Sequence, residues 1–294
     1  MPVSPLPGVS PDNLLTSLRS VHTDVSNLRG GGGPQRGAYG RLLSYLEWTS
    51  NAVRMLGTQI SSADLEHLVL TRRHELLLSG VGNMTSIEIE VQRVVNGLVS
   101  LELDQRVDAF NQAIKELAEQ IGRWSGRWNL AVLDTSFYIE HEQKLEEADF
   151  APLLGVRESD IHIIVPIVVV DELDGLKQSK DKHVRWRARY TLAVLDRLFA
   201  RTTGPARLRE DDFSVLGSGG IPRGQITMEL LFDPPGHVRL PINDDEIIDR
   251  ALAVEPLAVG QITLLTYDTG QSTRARSAGL RVNKLSKDIG DEPE

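Results

Sequence analysis

The chain of 294 residues contains no cysteine. This excludes disulfides and thiolate metal ligands, and it fits a reducing interior. Long apolar runs are missing too. The longest, Ile163 to Val170, falls far short of the roughly 20 residues that span a bilayer, so no membrane association is expected. The first residues, Met1-Pro2-Val3-Ser4-Pro5, lack the basic start and apolar core of a signal peptide. The expected location is cytoplasmic. Positive charge is in short supply: the net charge of −9 argues against the whole surface attracting nucleic acid. The deficit is uneven, however. From Lys177 to Arg209 ten Lys or Arg stand against two Asp, and a local patch sets where a polyanion lands. What remains is ordinary for a soluble globular protein, with 40% hydrophobic and 25% charged residues and length enough for two domains.

The N-terminal half reads as helical throughout. Ser10-Pro11-Asp12 combines a hydroxyl N-cap, a proline at the first helical position and an acid in the first turn. Leu14, Leu18, Val21, Val25 and Leu28 follow at helical spacing. Gly30 to Gly33 and Pro34 break the helix and predict a hinge or loop. A second helix is expected to carry Tyr39, Leu42, Leu43, Leu46, Val53, Leu56 and Ile60. Ser61 with Asp64 resembles a capping box, opening a third helix through Leu65, Leu68, Val69, Arg72 and Leu76 to about Gly80. Ser86 to Trp124 predicts one long helix or two in series. Ile87, Val91, Val94, Leu98 and Leu101 form one stripe. Leu103, Val107, Phe110, Ile114, Leu117, Ile121 and Trp124 form a second in shifted phase, which marks a stutter or bend. Two readings stay open: a helical bundle that buries its own stripes, or a coiled-coil-like arm that makes a homodimer. His22, His67 and His74 share no zinc-ligand spacing. The segment Gly122 to Trp128 reads as a junction. The expected organisation is an all-α domain over 1–125, an α/β domain over 126–286 and a flexible tail over 287–294.

The second half begins with Leu130-Ala131-Val132-Leu133-Asp134, a short apolar run ending in an acid. Such a run predicts a buried strand of a parallel sheet. Asp160 to Val170 predicts a second, after which Glu172 falls in the first turn of a helix. There an acid also suits the helix dipole, without any chemistry. Phe137 to Glu147 and Val184 to Phe199 are expected to be helical. Ile226 to Phe232 and Val238 to Leu240 predict a hairpin across Asp233 to Gly236, with His237 at the surface. Asn243 or Asp244 would cap the next helix. Asp245 and Asp249 share one face of it, so their charges repel unless a cation is near. Ile262 to Thr266 is a strand that leads to Asp268. Arg274 to Ala278 is a helix, and Leu280 to Val282 a last edge strand. Ligands of open α/β sheets bind outside the carboxyl ends of the strands. Asp134, Glu172, Asp245 and Asp268 all fall at such positions, so the fold is expected to gather them around a divalent metal. Oxygen ligands suit Mg²⁺ or Mn²⁺.

The order of four motifs resembles a PIN-domain nuclease: Val-Leu-Asp-Thr-Ser (132–136), Val-Pro-Ile-Val-Val-Val-Asp-Glu-Leu-Asp-Gly-Leu-Lys (165–177), Asn-Asp-Asp-Glu-Ile-Ile (243–248) and Leu-Thr-Tyr-Asp-Thr-Gly (265–270). The Glu-Leu-Asp-Gly-Leu phrase and the insertion before Asn243 look most like the larger PIN domains. The resemblance covers the C-terminal half only. It implies an α/β/α sandwich with a central parallel sheet, preceded here by the all-α domain, and Mg²⁺- or Mn²⁺-dependent cleavage of single-stranded RNA. It places the family's acids on Asp134, Glu172, Asp245 and Asp268, with Ser136 and Thr266 in support. Asp249, on the helix face of Asp245, is a candidate ligand of a second metal or an outer partner of the first. Tyr267 departs from the pattern, at a place that is often small or polar, where it would narrow the site or stack on a base. The basic run supplies candidate RNA contacts at Lys177, Lys180, Lys182, Arg185, Arg187 and Arg189.

Phosphodiester hydrolysis needs an activated water and relief of charge on the transferring group, and carboxylate-held metals supply both. A haloacid-dehalogenase-type phosphatase would want an Asp two residues after Asp134, where Ser136 stands. Two other functions compete with the ribonuclease: a PIN-like RNA-binding or scaffolding module without activity, and a structure-specific DNA nuclease.

Overall fold

In a computed structural model of the chain, residues 3–286 are described apart from 4, 7, 32–36, 84–87, 128, 158, 203, 215–221 and 259. The expected hinge beyond Gly31, the Ser86–Ile87 start of the long helix, Trp128 of the junction and the 287–294 tail lie outside the described residues. The chain divides into two units, Met1–Arg123 and Trp124–Glu294. Among the described residues no helix is long and apolar enough to cross a membrane.

The first unit is helical: α1 (Pro11–Gly30), α2 (Ala38–Leu56), α3 (Ser62–Leu68), α4 (Arg72–Gly80) and α5 (Ile89–Trp124), whose last residue belongs to the second unit. The Ser10 hydroxyl accepts from Asn13 N and caps α1. The Ser61 hydroxyl accepts from Asp64 N and donates to the Asp64 carboxylate. Three expectations are corrected. Ile60 is not helical but bridges Pro5 in an isolated antiparallel pair. The helix expected from Ser61 to Gly80 is two, because the Thr71 hydroxyl accepts from His74 N and starts α4 anew. On α5, one uninterrupted helix of 36 residues, the buried line runs through Val95, Val99, Leu103, Val107, Phe110 and Leu117. The stripe Val94, Leu98 and Leu101 is exposed. Glu102, fully buried, takes ion pairs from Arg73 (2.9 Å) and Arg106 (3.0 Å) and a hydrogen bond from Thr71 (2.8 Å). Each of its oxygens therefore has a charged partner, which a buried carboxylate requires.

The second unit is built on a six-stranded sheet: β1 (Leu130–Leu133), β2 (Ile161–Pro166), β3 (Ala206–Arg209), β4 (Ile226–Leu231), β5 (Ile262–Thr266) and β6 (Arg281–Lys284), in the order β3-β4-β2-β1-β5-β6. All neighbours pair in parallel except β3 with β4. β1, β2 and β5 are buried at every residue, as strands covered on both faces should be. The helices are α6 (Thr135–Glu140), α7 (Phe150–Leu154), α8 (Ile167–Leu176), α9 (Lys182–Phe199), α10 (Asn243–Val254) and α11 (Thr269–Ser277).

Three features of this unit differ from expectation, each for a visible reason. The Ile/Val run that predicts one strand to Val170 turns helical at Ile167, and Val168 and Val169 stay buried in α8. Periodicity alone does not separate a buried strand from a buried helix turn. Glu172 is consequently the sixth residue of α8 and lies beyond its first turn. α6 stops at Glu140, short of Glu147, and the Tyr138 carbonyl accepts from Arg187 Nε (2.9 Å). Among the described residues no hairpin joins Ile226 to Leu240. β4 pairs with β2 and β3 instead, and the following loop is pinned by Glu246. The fully buried Glu246 carboxylate accepts from Leu240 N (2.8 Å) and meets His237 Nε2 (2.7 Å). His237 is therefore clamped and half-buried, away from the surface role expected of it.

Candidate active site

The central strands deliver their acids to one edge of the sheet. β1 ends at Leu133, and Asp134 follows it as the residue preceding α6. β5, its parallel neighbour, ends at Thr266, and Asp268 caps α11 by accepting from Gln271 N (2.7 Å). Glu172 comes from α8, the helix that leaves β2 on the other flank of β1. Asp244 is the second residue of α10.

Short polar side chains tie these acids together. Asp134, 5% exposed, accepts through Oδ2 from the hydroxyls of Ser136 and of Thr266 (2.9 Å). The Thr266 hydroxyl also accepts from Asp268 N (2.9 Å), so one side chain links the two strand-end acids. Ser136 Oγ accepts from Tyr267 N (3.0 Å). Gln271 is fully buried beneath them. With its amide nitrogen turned to the carboxylate it donates to Asp134 Oδ2 (2.8 Å) and Oδ1 (3.1 Å) and to Thr266 (3.0 Å). Glu172 is oriented from both sides. Its Oε2 accepts from the Thr135 hydroxyl, and its Oε1 from Asn243 Nδ2 (2.9 Å). Thr135, Asn243 and Gln271 were not read from the sequence. Thr135 and Asn243 adjoin motif acids, and Gln271 is the third residue after a helix-capping Asp, which is the signal that could have pointed to them.

The electrostatics follow from burial. Asp134 has its carboxyl pushed above the ordinary carboxylate range by desolvation, with the Ser136 and Thr266 hydrogen bonds pulling back. Asp244 is pushed up as well, first by burial and then by the negative charges of Asp134, Asp268 and Glu172, while Arg274 opposes. Asp244 thus feels the other three acids, with no Lys or Arg on Asp134 or Glu172 among the bonds above. Among the described residues no three of them bring ligand atoms within 4.8 Å of one another. Like charges keep apart. The donor set is all oxygen, hard and anionic, which suits Mg²⁺ or Mn²⁺. Mg²⁺ commonly keeps several waters and takes only one or two carboxylates directly, so the spread of these acids fits such an ion. In the trio that does approach to 4.8 Å, Asp233, His237 and Glu246, His237 pairs with Glu246 (2.7 Å) and Arg239 with Asp233 Oδ2 (2.6 Å), while the buried Asp233 Oδ1 has no partner.

Not every expected residue joins the group. Asp245 points to Arg274 (3.2 Å), and the acid that feels the other three is its neighbour Asp244. A helix turns about 100° per residue, so adjacent acids face different ways. Asp249 is held by Arg250 (2.5 Å) and makes no bond to the acid group. Arg187 is 4% exposed, and its guanidinium donates to the carbonyls of Tyr138 (2.9 Å) and Gln143 (3.0 Å). It is an internal brace, with no face for a phosphate. Lys177 pairs with Asp174 (2.5 Å), and Arg185 donates to the Ser179 carbonyl (2.5 Å). Lys180, Lys182 and Arg189 are exposed. Beside them on α9 lies a feature not anticipated: Trp186, 49% exposed, stacks on Tyr190 at 5.4 Å and 18°. Tyr267 lies beside the site with its hydroxyl on His141 Nδ1 (2.9 Å), and His141 stacks on Phe137 at 4.5 Å.

A family model described as PIN domain matches residues 131–286. Among solved structures, a domain of a functionally unknown protein from Methanocaldococcus jannaschii DSM 2661 is similar at 16% identity, with 56% of this chain and 96% of that chain covered and a TM-score of 0.32. No curated protein matches the chain.

Proposed function

The chain belongs to the PIN-domain family through residues 131–286, and from that premise we propose that it is a metal-dependent endoribonuclease that hydrolyses single-stranded RNA. PIN domains are generally nucleases and typically use divalent metals. The observation that carries the reading is Asp134. It is a buried carboxylate served by two hydroxyls and an amide, and it is one of three acids whose charge reaches Asp244. Such a cluster destabilises a fold unless something cationic binds there.

Asp134, Glu172, Asp244 and Asp268 would hold the ion. When bound, a divalent cation supplies charge relief to the transferring phosphoryl group and activation of the attacking water. The chain's own part is orientation. Thr266, Ser136 and Gln271 fix Asp134, and Thr135 and Asn243 fix Glu172, so both carboxylates are set before substrate arrives. A single-stranded nucleic acid as substrate is supported by the exposed Lys180, Lys182 and Arg189 together with Trp186, since cations and a stackable ring are what single strands bind. The test is cleavage of one sequence as single-stranded RNA and as single-stranded DNA, with Mg²⁺ or Mn²⁺, by wild type and Asp134→Asn. RNA cut only by wild type and only with metal is the expected result. Preference for DNA would favour the DNA nuclease, and no cleavage of either would favour the non-catalytic module.

A further inference from the structure

The opposite edge of the sheet carries a second concave site. β2 and β4 start in register at Ile161 and Ile226, and both residues line a cavity of about 540 Å³. That volume falls within the range of small-molecule sites. The acids lie beyond the other ends of the strands. β2 has six residues, so at about 3.3 Å per residue the two sites are roughly 20 Å apart. One wall is closed on backbone. A Cβ on Gly224 would fall 2.3 Å from the Ser159 carbonyl. Ile161 N donates to the Gln225 carbonyl (3.0 Å), and Gln225 N to Asp160 Oδ1 (3.0 Å).

The charge in this cavity is unbalanced. Arg157, Arg209 and Arg223 line it against the single carboxylate of Asp149. Arg209 donates from Nη1 to the Ala148 carbonyl (3.1 Å), but its buried Nε has no partner. Arg223 Nη2 is 3.5 Å from Asp149 Oδ2, and the buried Asp149 Oδ1 has no partner either. Burial, and then the like charge of Arg223, hold the Arg209 guanidinium below its ordinary pKa. A dianion placed among three guanidiniums would answer that repulsion. Pro152 and Val156 add apolar surface to the lining.

We propose that this cavity binds a nucleoside monophosphate, with the phosphate taken by Arg157, Arg209 and Arg223, the base against Pro152 and Val156, and Asp149 accepting from a sugar hydroxyl. The site is separate from the acid cluster and does not depend on the nuclease reading. Isothermal titration of the full chain in EDTA, with AMP, GMP, CMP, UMP, adenosine and inorganic phosphate as probes, tests it. EDTA removes the divalent ion through which a phosphate would visit the acids. At least one mononucleotide should bind, and adenosine and phosphate should bind at least tenfold more weakly. Both Arg157 and Arg223 are exposed, so the double variant Arg157→Gln/Arg223→Gln should fold. It should weaken the nucleotide by about tenfold or more, and Arg157→Gln alone should do so in part. Asp134→Asn should change nothing. No nucleotide binding by wild type, phosphate binding as well as the nucleotide, or a loss in Asp134→Asn equal to that in the arginine variants would each overturn the proposal.

Discussion

Replacing Arg187 with methionine should cost stability and leave phosphate contacts untouched. The guanidinium lies inside the second unit and spans from α9 to the Tyr138 and Gln143 carbonyls at 2.9 and 3.0 Å. Methionine keeps most of the packed stem but donates nothing. The buried Tyr138 carbonyl would then be orphaned, at about 1–3 kcal/mol, whereas the carbonyl of the exposed Gln143 can turn to water. Burial alone holds the charged form of Arg187 below its ordinary pKa, so removing the charge returns part of that loss. The net expectation is a destabilisation of about 1–3 kcal/mol, a sizeable share of the roughly 5–15 kcal/mol that holds a domain together. Denaturant midpoints report it, and native-state hydrogen exchange should localise it to α6 and the turns that follow. Arg189→Met, on the exposed face, should do the reverse. Its stability should change by less than about 0.5 kcal/mol, while the log–log salt slope of RNA binding falls by about 0.7 for one lost phosphate contact. An Arg187→Met protein as stable as wild type but with a reduced salt slope would refute this reasoning.

Three further outcomes follow from the site. Asp244→Asn should abolish RNA cleavage, whereas Asp245→Asn, which frees only Arg274, should keep most of it; equal rates in both would show that α10 has been placed wrongly. Gln271→Leu removes the buried amide that orients Asp134 and should lower metal affinity or activity about 10–100-fold; steady-state rates titrated against Mn²⁺ measure this. In chelator, Asp134 and Asp244 both have folded pKa values raised above the ordinary 3.8. Their contribution to stability is therefore fully present below that value and is lost as pH rises through the folded pKa. Asp134→Asn stays neutral, so its thermal midpoint should exceed that of wild type at pH 7.5, and by little at pH 4. A gap that does not widen with pH contradicts the burial argument.

Much of the sheet was legible because buried parallel strands announce themselves. Leu130–Leu133 and Ile262–Thr266 are short apolar runs that end at acids. The edges were harder. β3, Ala206–Arg209, is only partly buried, carries two arginines and has no alternation to read. The run through Val170 was ambiguous, since a helix packed on a sheet needs the same Ile and Val as the strand before it. Asp134 and Asp268 were legible as acids placed just after strands, and Glu172 as an acid of the helix that follows the second strand. Asp244 was not singled out, because adjacent acids in the first turn of α10 face different ways and the sequence does not show that Asp245 meets Arg274. Arg187 was misread for a similar reason. In a basic amphipathic helix the sequence marks which residues are charged, but only the packing of α9 against α6 shows which one turns inward.

The most direct test of the central claim is Mn²⁺ titration by calorimetry on wild type and Asp134→Asn, paired with their thermal midpoints in Mn²⁺ and in EDTA. If Asp134, Glu172, Asp244 and Asp268 hold the ion together, wild type binds Mn²⁺ and gains about 2.7 kcal/mol at a hundredfold excess over Kd. Asp134→Asn should then bind far more weakly and lose most of that gain, although its chelated form melts no lower than wild type. Equal Mn²⁺ affinity and equal stabilisation in the two proteins would contradict the account.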